Sequence, residues 1–343
     1  VDVHGPILCI AERQYGVELV DVSSPSKPTF ISKVRTGEAQ SVAIDGRHVY
    51  AGDWMASQVT TIDIANPREP HIVSRVALDD YGDGVTVQGS YLYASTGHHA
   101  RGGGFLRGPD EPGYGAGHGL EVLSLADPAH PEVVTRVKFP ALFRRGAYDT
   151  WTSVASGDYV FCADSENGVF AVDVADPEEP RVAARYEELV GGLAVGDGTI
   201  YAACPERGYV AVLDARGMAQ RAAPDRGPAV RIPPAPASRP QGYRVYRPGG
   251  QIRAIDFVGD AYALVAASMQ GVHVLRLWPA VREVSRIATR GFALHLDVRG
   301  SRVYVSEGRR GLSIWEHAGS GHFEARGRYE APQGQPIRQA LAA

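Results

Sequence analysis

Side chains that could do chemistry fall at matching positions in separate parts of this 343-residue chain. When short strand-like segments are aligned on the glycines that follow them, one position is occupied by Gln40, Asp83, Trp151, Arg253 and Leu294. An acid and a guanidinium beside an aromatic ring suit a small polar-aromatic ligand. The alternative is a solvated rim that carries one exposed tryptophan.

Polar residues that follow the second strand-like segment of some repeats extend this candidate ligand-binding set. The full set is Gln40, Asp53, Trp54, Asp83, Trp151, Arg253 and Glu307. Acidic residues dominate the face on which these side chains are expected. The pattern therefore favours a cationic or hydroxyl-rich ligand over an anion.

Three carboxylates occupy one deeper position of the same alignment. They are Asp2, Asp256 and Asp297, and His295 stands two residues before the last of them. If the segments converge, these carboxylates could hold a divalent cation such as Ca²⁺ or raise one another's pKa. The alternative is that each accepts backbone N–H bonds from a neighbouring repeat. Apart from such a cation, no cofactor is expected.

A second candidate metal set consists of histidines in a glycine-rich segment. His98 and His99 are adjacent, and His118 follows after Asp110 and Glu111. Zinc ligands usually have tight spacing on a regular element, and an adjacent pair with a distant third matches that pattern weakly. The sequence favours a polar loop here over a zinc site.

A catalytic role is left open by the motifs. The sequence contains no Gly-x-Ser-x-Gly elbow, no phosphate-binding glycine loop and no His-Glu-x-x-His. A lyase, isomerase or cyclase could nevertheless work with shape, one acid and one base. In such an enzyme Asp83 or His295 would be the base. Arg253 would stabilise developing negative charge, and Trp151 would form a wall.

The elements that must position these residues belong to a repeat. An apolar segment, a Ser/Asn/Asp-Pro step and a second proline three residues later recur at 20–28, 62–70, 123–131 and 172–180. A period of about forty residues is typical of repeat architectures. The Pro step predicts a tight turn, and its prolines keep an outer strand edge from pairing with another chain.

Each repeat also contains a glycine-led strand of β-branched and aromatic residues. Seven copies begin at Gly5, Gly46, Gly89, Gly157, Gly198, Gly259 and Gly300. With the flanking segments they make four short strands per repeat, which predicts an all-β fold: one seven-bladed β-propeller of four-stranded antiparallel blades. The predicted blades span 1–35, 37–77, 81–139, 148–187, 190–247, 250–288 and 291–331. Insertions are expected at 97–118 and 217–250.

The four proline motifs resemble the LVIVD-repeat family. Val20-Asp21-Val22 followed by Pro25 and Pro28 is one example. The resemblance implies a bacterial β-propeller that is exported, whether secreted, cell-surface or periplasmic. It brings no catalytic motif with it.

Composition narrows the function classes. The net charge is −4 and the basic residues form no stripe, so nucleic-acid binding is not expected. No apolar run is long enough to span a bilayer.

Cys9, Cys162 and Cys204 fall in the same strand of three repeats and are expected to be small buried hydrophobes. We expect a monomer. Residues 334–338 of the tail could complete the first blade, or the tail could fray and the seventh blade pack directly against the first.

The leading functional hypothesis is an exported scaffold. It would bind a protein, a carbohydrate or another small molecule through its loop-rich face. The alternative is a cofactor-independent enzyme with a pocket at the channel mouth, capped by both insertions. An enclosed, largely apolar pocket would favour the enzyme, and an open, wet face would favour the binder.

Overall fold

The structure is a computed structural model. It describes residues 1–97, 118–139, 150–164, 168–186, 190–196, 199–204, 209–214, 244–246, 251–277 and 281–330. These residues form seven four-stranded antiparallel sheets, so the prediction of a seven-bladed β-propeller is confirmed.

The first four blades follow one another along the chain. Blade 1 contains β1 (Asp2–His4), β2 (Ile7–Ala11), β3 (Val17–Asp21) and β4 (Thr29–Val34). Blade 2 contains β5 (Ala39–Asp45), β6 (His48–Asp53), β7 (Gln58–Asp63) and β8 (His71–Ala77). Blade 3 contains β9 (Gly82–Gln88), β10 (Tyr91–Thr96), β11 (Gly119–Ser124) and β12 (Glu132–Lys138). Blade 4 contains β13 (Thr150–Ser156), β14 (Tyr159–Asp164), β15 (Gly168–Asp173) and β16 (Arg181–Tyr186).

The remaining three blades are built in the same way. Blade 5 contains β17 (Gly192–Gly196), β18 (Thr199–Cys204), β19 (Tyr209–Asp214) and β20 (Arg244–Tyr246). Blade 6 contains β21 (Ala254–Val258), β22 (Tyr262–Ala266), β23 (Val272–Arg276) and β24 (Arg282–Ile287). Blade 7 contains β25 (His295–Arg299), β26 (Arg302–Ser306), β27 (Leu312–Gly319) and β28 (His322–Tyr329).

The first strand of every blade lies next to the first strands of the neighbouring blades, so these seven strands surround a central channel. β1 belongs to the sheet of blade 1 and packs beside β25, which brings the two ends of the ring together. The tail segment 334–338, predicted to help close the ring, lies outside the described residues. None of the residues that the structure describes forms a helix long and apolar enough to cross a membrane.

The hydrophobic core is divided among the blade interfaces. The described residues form seven buried apolar clusters, and each cluster joins two neighbouring blades. Cys9, Cys162 and Cys204 all lie fully buried in second strands. Burial raises the pKa of the Cys9 and Cys162 thiols, as expected of small core residues.

Two glycines show why the third strands begin where they do. Gly16 precedes β3 with φ of +87°, and Gly311 precedes β27 with φ of +86°. A Cβ would lie 2.1 Å from the carbonyl oxygen of Val34 in the first case and of Tyr329 in the second. Only glycine lets the third strand start this close to the outer strand.

The proline turns also connect the blades. Ser32 of β4 donates its hydroxyl hydrogen bond to the Pro67 carbonyl of blade 2 at 2.6 Å. Ser74 of β8 donates to the Ala129 carbonyl of blade 3 at 2.7 Å. The turn motif therefore supplies an acceptor for the outer strand of the preceding blade, in addition to turning the chain.

The two ends of the channel differ in the loops they carry. We call the upper face the one with the turns between second and third strands and the connections between blades. Gly97 and His118, which flank the insertion predicted between β10 and β11, lie at this face. The insertion at 217–250 falls mainly between β19 and β20, and Asp214 and Arg244, which flank it, lie at the lower face. The described residues that flank the two insertions therefore lie at opposite ends of the channel, because a connection from third to fourth strand leaves the lower end of the sheet. The capping of the pocket by both insertions stays a prediction.

Candidate binding pocket at the channel mouth

A pocket lies at the upper mouth of the channel and is lined by residues from six of the seven blades. It encloses about 530 Å³ of space, part of it open to solvent. The lining includes Gln40, Ser41, Asp83, Thr152, Gly192, Arg253 and His295. No single blade forms the pocket, so its shape depends on the closed ring.

The structure brings four of the predicted site residues together in this pocket. Gln40 comes from blade 2, Asp83 from blade 3, Arg253 from the connection into blade 6 and His295 from blade 7. The structure describes Trp151 only as a backbone position in β13, directly before the pocket residue Thr152. Its predicted role as a wall stays a prediction.

Local irregularities of the inner strands explain how these positions face the mouth. Gln40 is an extra residue between the paired positions Ala39 and Ser41 of β5. Asp83 lies in a similar irregularity of β9, and Trp151 is the extra residue of β13. A β-bulge interrupts the ladder and turns a side chain away from its regular direction, and bulges are frequent beside functional sites.

The second and third blades are joined at this level by a direct hydrogen bond. The Ser41 hydroxyl donates to the backbone carbonyl of Asp83. Gln40 and Asp83 are each 4% exposed. Two adjacent bulges are thus fixed to each other, which holds both polar side chains at the mouth.

Arg253 supplies the positive charge of the pocket. Its Nη2 donates to Oε1 of Gln251 at 2.6 Å, and its buried Nε has no acceptor among the described residues. Desolvation lowers the pKa of this guanidinium, which is nevertheless always charged at neutral pH. The pocket therefore contains a cation with unused hydrogen-bonding capacity.

Two further polar atoms at the mouth lack a hydrogen-bond partner among the described residues. They are Oε1 of Gln40 and Nδ1 of His295, and both atoms are buried. Burial lowers the pKa of His295 well below its usual value, so the imidazole is neutral at pH 7. The pocket thus offers an amide acceptor and a neutral imidazole as well as a guanidinium.

The deeper carboxylates are used mainly by the fold. Asp2 accepts the Ile44 N–H of blade 2 at 2.8 Å, and Asp256 accepts the Val298 N–H of blade 7 at 2.8 Å. Both contacts match the predicted alternative of bonds to neighbouring blades. Arg299 also pairs with Asp2 and lies 3.4 Å from Asp297.

Asp297 is the least satisfied carboxylate of this group. Its Oδ2 is buried without a hydrogen-bond partner among the described residues. Desolvation raises the pKa of Asp297 to about 8 and that of Asp256 to about 6. Within the described part of the chain, no group of three or more His, Cys, Asp or Glu residues is arranged to hold a metal ion.

Asp53 and Glu307, also predicted to bind ligand, do not line the pocket. Asp53 is fully buried and accepts the Gly37 N–H at 3.1 Å and bonds from Gln58 and Thr60. These partners lie in or directly before its own blade.

Glu307 is built into blade 7 in a similar way. It accepts the backbone N–H groups of Arg290 and Gly291 at 2.7 and 3.2 Å. Its two carboxylate oxygens also pair with the Arg328 guanidinium at 3.1 and 2.8 Å. The carboxylate is therefore occupied by the blade that carries it.

Trp54 and the histidines take other positions. The Trp54 ring lies against Tyr81, with centroids 5.2 Å apart, and the Arg13 guanidinium lies 5.9 Å from its centroid. His118 bonds through Nε2 to Oδ2 of Asp164 at 2.6 Å, and both residues are buried between blades 3 and 4. His98 and His99 lie outside the described residues.

Comparison with protein-family models and with solved structures finds the same repeat and the same fold in other proteins. The LVIVD repeat family model matches residues 1–36, 36–77 and 149–188, which correspond to blades 1, 2 and 4. The chain is therefore a seven-bladed β-propeller that contains LVIVD repeats, as the sequence resemblance indicated. No curated protein sequence matches it.

Solved structures with this architecture differ widely in sequence. A protein from Lactobacillus plantarum has a TM-score of 0.70 at 12% identity, covering 96% of this chain and 97% of its own. The periplasmic gluconolactonase PpgL of Pseudomonas aeruginosa has a TM-score of 0.66 at 16% identity, covering 97% of each chain. BamB from Moraxella catarrhalis has a TM-score of 0.59 at 13% identity, covering 92% of this chain and 83% of its own. These similarities show the fold.

Proposed function

We propose that this protein is a binding scaffold that holds a small polar molecule in the pocket at the channel mouth. The observation that carries the proposal is the convergence of Gln40, Asp83, Arg253 and His295 from four different blades on one pocket. A solvated rim would expose such groups to water. Here Gln40 and Asp83 are almost completely buried, and polar atoms of Gln40, Arg253 and His295 lack partners among the described residues.

A buried polar group without a hydrogen-bond partner costs free energy. Three such groups in one pocket therefore support a site that a bound molecule completes. A bound molecule that offers complementary groups would recover this free energy on binding. The pocket has polar groups on several sides and an open mouth, which favours a binder over a sealed reaction chamber.

The test uses small polar probes of two sizes. Glycerol, glycerate and 3-amino-1,2-propanediol form the smaller set, and glucose, glucuronate and glucosamine form the larger one. Binding is measured by isothermal titration calorimetry and by NMR. We expect at least one probe to bind, and the variant Thr152→Phe, which places a ring in the pocket, to abolish that binding. Absence of binding by every probe, or binding unchanged in Thr152→Phe, would contradict the proposal.

We also propose that the protein is exported. The LVIVD repeats support this, and one similar structure bears the name of a periplasmic gluconolactonase. Fractionation of cells that express the complete natural gene product tests the proposal. Recovery in the periplasm, on the cell surface or in the medium supports export, and recovery in the cytoplasm contradicts it.

A catalytic version of the same site is the second candidate. The neutral imidazole of His295 and the carboxylate of Asp83 face one pocket, as a lyase, isomerase or cyclase that needs a base would require. Proton abstraction would appear in D₂O as deuterium incorporation at C2 of added glycerate, and His295→Gln would abolish it. A pocket that binds glycerate without exchange at C2 is a binding site for that probe, without this chemistry.

A further inference from the structure

The chemical class of the ligand follows from which polar groups at the mouth remain unused, given the proposed function above. Two of the acidic residues predicted to bind the ligand are not available to it. Asp53 and Glu307 are enclosed by donors of their own blades. This weakens the sequence-based preference for a cationic ligand, because the Asp53 oxygens already accept hydrogen bonds and Glu307 is already paired with Arg328.

The unused groups favour an anion on one side of the pocket. Arg253 is half-buried, and its Nε points to no acceptor among the described residues. A guanidinium binds a carboxylate through charge-assisted hydrogen bonds, which are about twice as strong as those between neutral groups. A cationic ligand would leave Nε unsatisfied and add repulsion.

The neighbouring groups favour a hydroxyl beside that anion. Oε1 of Gln40 can only accept a hydrogen bond, and a neutral imidazole has one nitrogen that accepts. His295 is in blade 7, next to the blade that Arg253 enters, and Gln40 is two blades further around the ring. A ligand hydroxyl can donate to either acceptor, whereas a second carboxylate could not.

The remaining charge limits how negative the ligand can be. Asp83 lies in the same pocket, three blades away from Arg253 around the ring. A ligand carboxylate bound to Arg253 would lie on the opposite side of the pocket from the Asp83 carboxylate. A dianion such as a phosphate monoester would be repelled more strongly by Asp83 and would bind less well.

We propose that the pocket binds a small hydroxycarboxylate, with the carboxylate on Arg253 and a hydroxyl donating to Gln40 or His295. The inference rests on the proposed function. It assigns the charge and hydrogen-bonding pattern that the scaffold selects.

The test compares probes that share a skeleton and differ in charge. Calorimetry gives the dissociation constants of glycerate, glycerol, 3-amino-1,2-propanediol and glycerol 3-phosphate for the full protein. We expect glycerate to bind at least about tenfold more tightly than glycerol, because a hydrogen bond to a charged group contributes more than a neutral one. The amine is expected to bind more weakly than glycerol.

Variants then assign the preference to Arg253. Arg253→Gln should remove the preference for glycerate over glycerol, and Arg253→Lys, which keeps the charge, should retain part of it. Arg276→Gln is the matched control, because Arg276 is exposed at the lower end of β23 in blade 6. It should leave both dissociation constants unchanged. Melting temperatures of all variants show whether each one is folded.

The outcomes separate the two proposals. Tighter binding of glycerol, of the amine or of glycerol 3-phosphate than of glycerate, with loss in Thr152→Phe, would keep the pocket as a binding site and overturn the hydroxycarboxylate assignment. A glycerate preference that survives in a folded Arg253→Gln variant would also overturn it. No binding by any probe would contradict the proposed function itself.

Discussion

Polar side chains lie both in the pocket at the channel mouth and at the ends of the second strands. The two groups differ in whether the protein itself supplies their hydrogen-bond partners. Glu307 receives two backbone N–H groups and an arginine from its own blade. Asp53 likewise receives a backbone N–H and side-chain donors within or next to its own blade. At the mouth, Arg253 and Gln40 keep polar atoms without partners among the described residues.

The difference lies in what each repeat supplies. An acid at the end of a second strand meets partners that its own repeat brings with it, so it becomes part of the structure. The mouth residues lie where neighbouring blades meet, and Gln40 and Asp83 also lie at bulges of their inner strands. Their neighbours differ from blade to blade, and no repeated partner satisfies them. We infer that Asp53 and Glu307, which have partners in the repeat, support the fold, and that Arg253 and Gln40 at the open mouth are available to a ligand.

The largest effect on this comparison is expected from removal of a structural acid. Glu307→Ala leaves Arg328 and two backbone N–H groups without their acceptor, which should lower the free energy of unfolding by about 3–5 kcal/mol. Urea denaturation measures this change. Glu324→Ala is the control, because Glu324 is an exposed residue that pairs with Arg326 in the same blade. A Glu307→Ala protein as stable as this control would show that the acid is not structural.

The second prediction concerns pH and the channel carboxylate Asp297. Its folded-state pKa of about 8 is above that of an unfolded aspartate, so the folded state holds the extra proton between these values. The contribution of protonated Asp297 to the free energy of unfolding is therefore present at low pH and is lost as the pH rises toward 8. Asp2, Asp256, Arg299 and the amino group of Val1 are the charged groups around it.

Asp297→Asn should remove this dependence. At pH 9 we expect the variant to be more stable than the natural sequence by about 2–4 kcal/mol, a conservative fraction of the pKa shift. Chemical denaturation at pH 5, 7 and 9 checks it. Equal pH dependence in the two proteins would show that Asp297 does not titrate in this range.

A smaller effect is expected at the proline turns. Ser74→Ala removes the hydrogen bond to the Ala129 carbonyl of the next blade, at a cost of about 1 kcal/mol. The exposed Ser26 gives the control variant Ser26→Ala, which should change stability little. If both variants have the same free energy of unfolding, the turn motif does not hold neighbouring blades together through this serine.

The sequence predicted the fold well because its signals are local and repeated. Prolines such as Pro25 and Pro28 identified the turns, and glycines such as Gly46 identified the hairpins, so the count of seven blades needed no long-range information. The division of the core among blade interfaces follows from the same repeat, since each sheet has two faces to bury.

The site was harder to predict for a physical reason. Alignment on glycines placed Gln40 and Asp83 at one level, but the bulges that turn them toward the mouth depend on strand pairing, which the sequence does not display. Asp53 and Glu307 looked equally suitable as ligands for a bound molecule. Partners such as Arg328 decide their role, and these are visible only in three dimensions.

The most direct measurement determines two quantities for two variants, Arg253→Gln and Glu307→Gln: the dissociation constant of glycerate and the free energy of unfolding in urea. We predict that Arg253→Gln weakens binding by about tenfold or more and changes stability by less than about 0.5 kcal/mol, as for substitutions away from structural contacts. Glu307→Gln should lower stability and leave binding by the remaining folded protein unchanged. If Arg253→Gln lost stability and kept its affinity for glycerate, the mouth residues would be structural and the proposed division of roles would be contradicted.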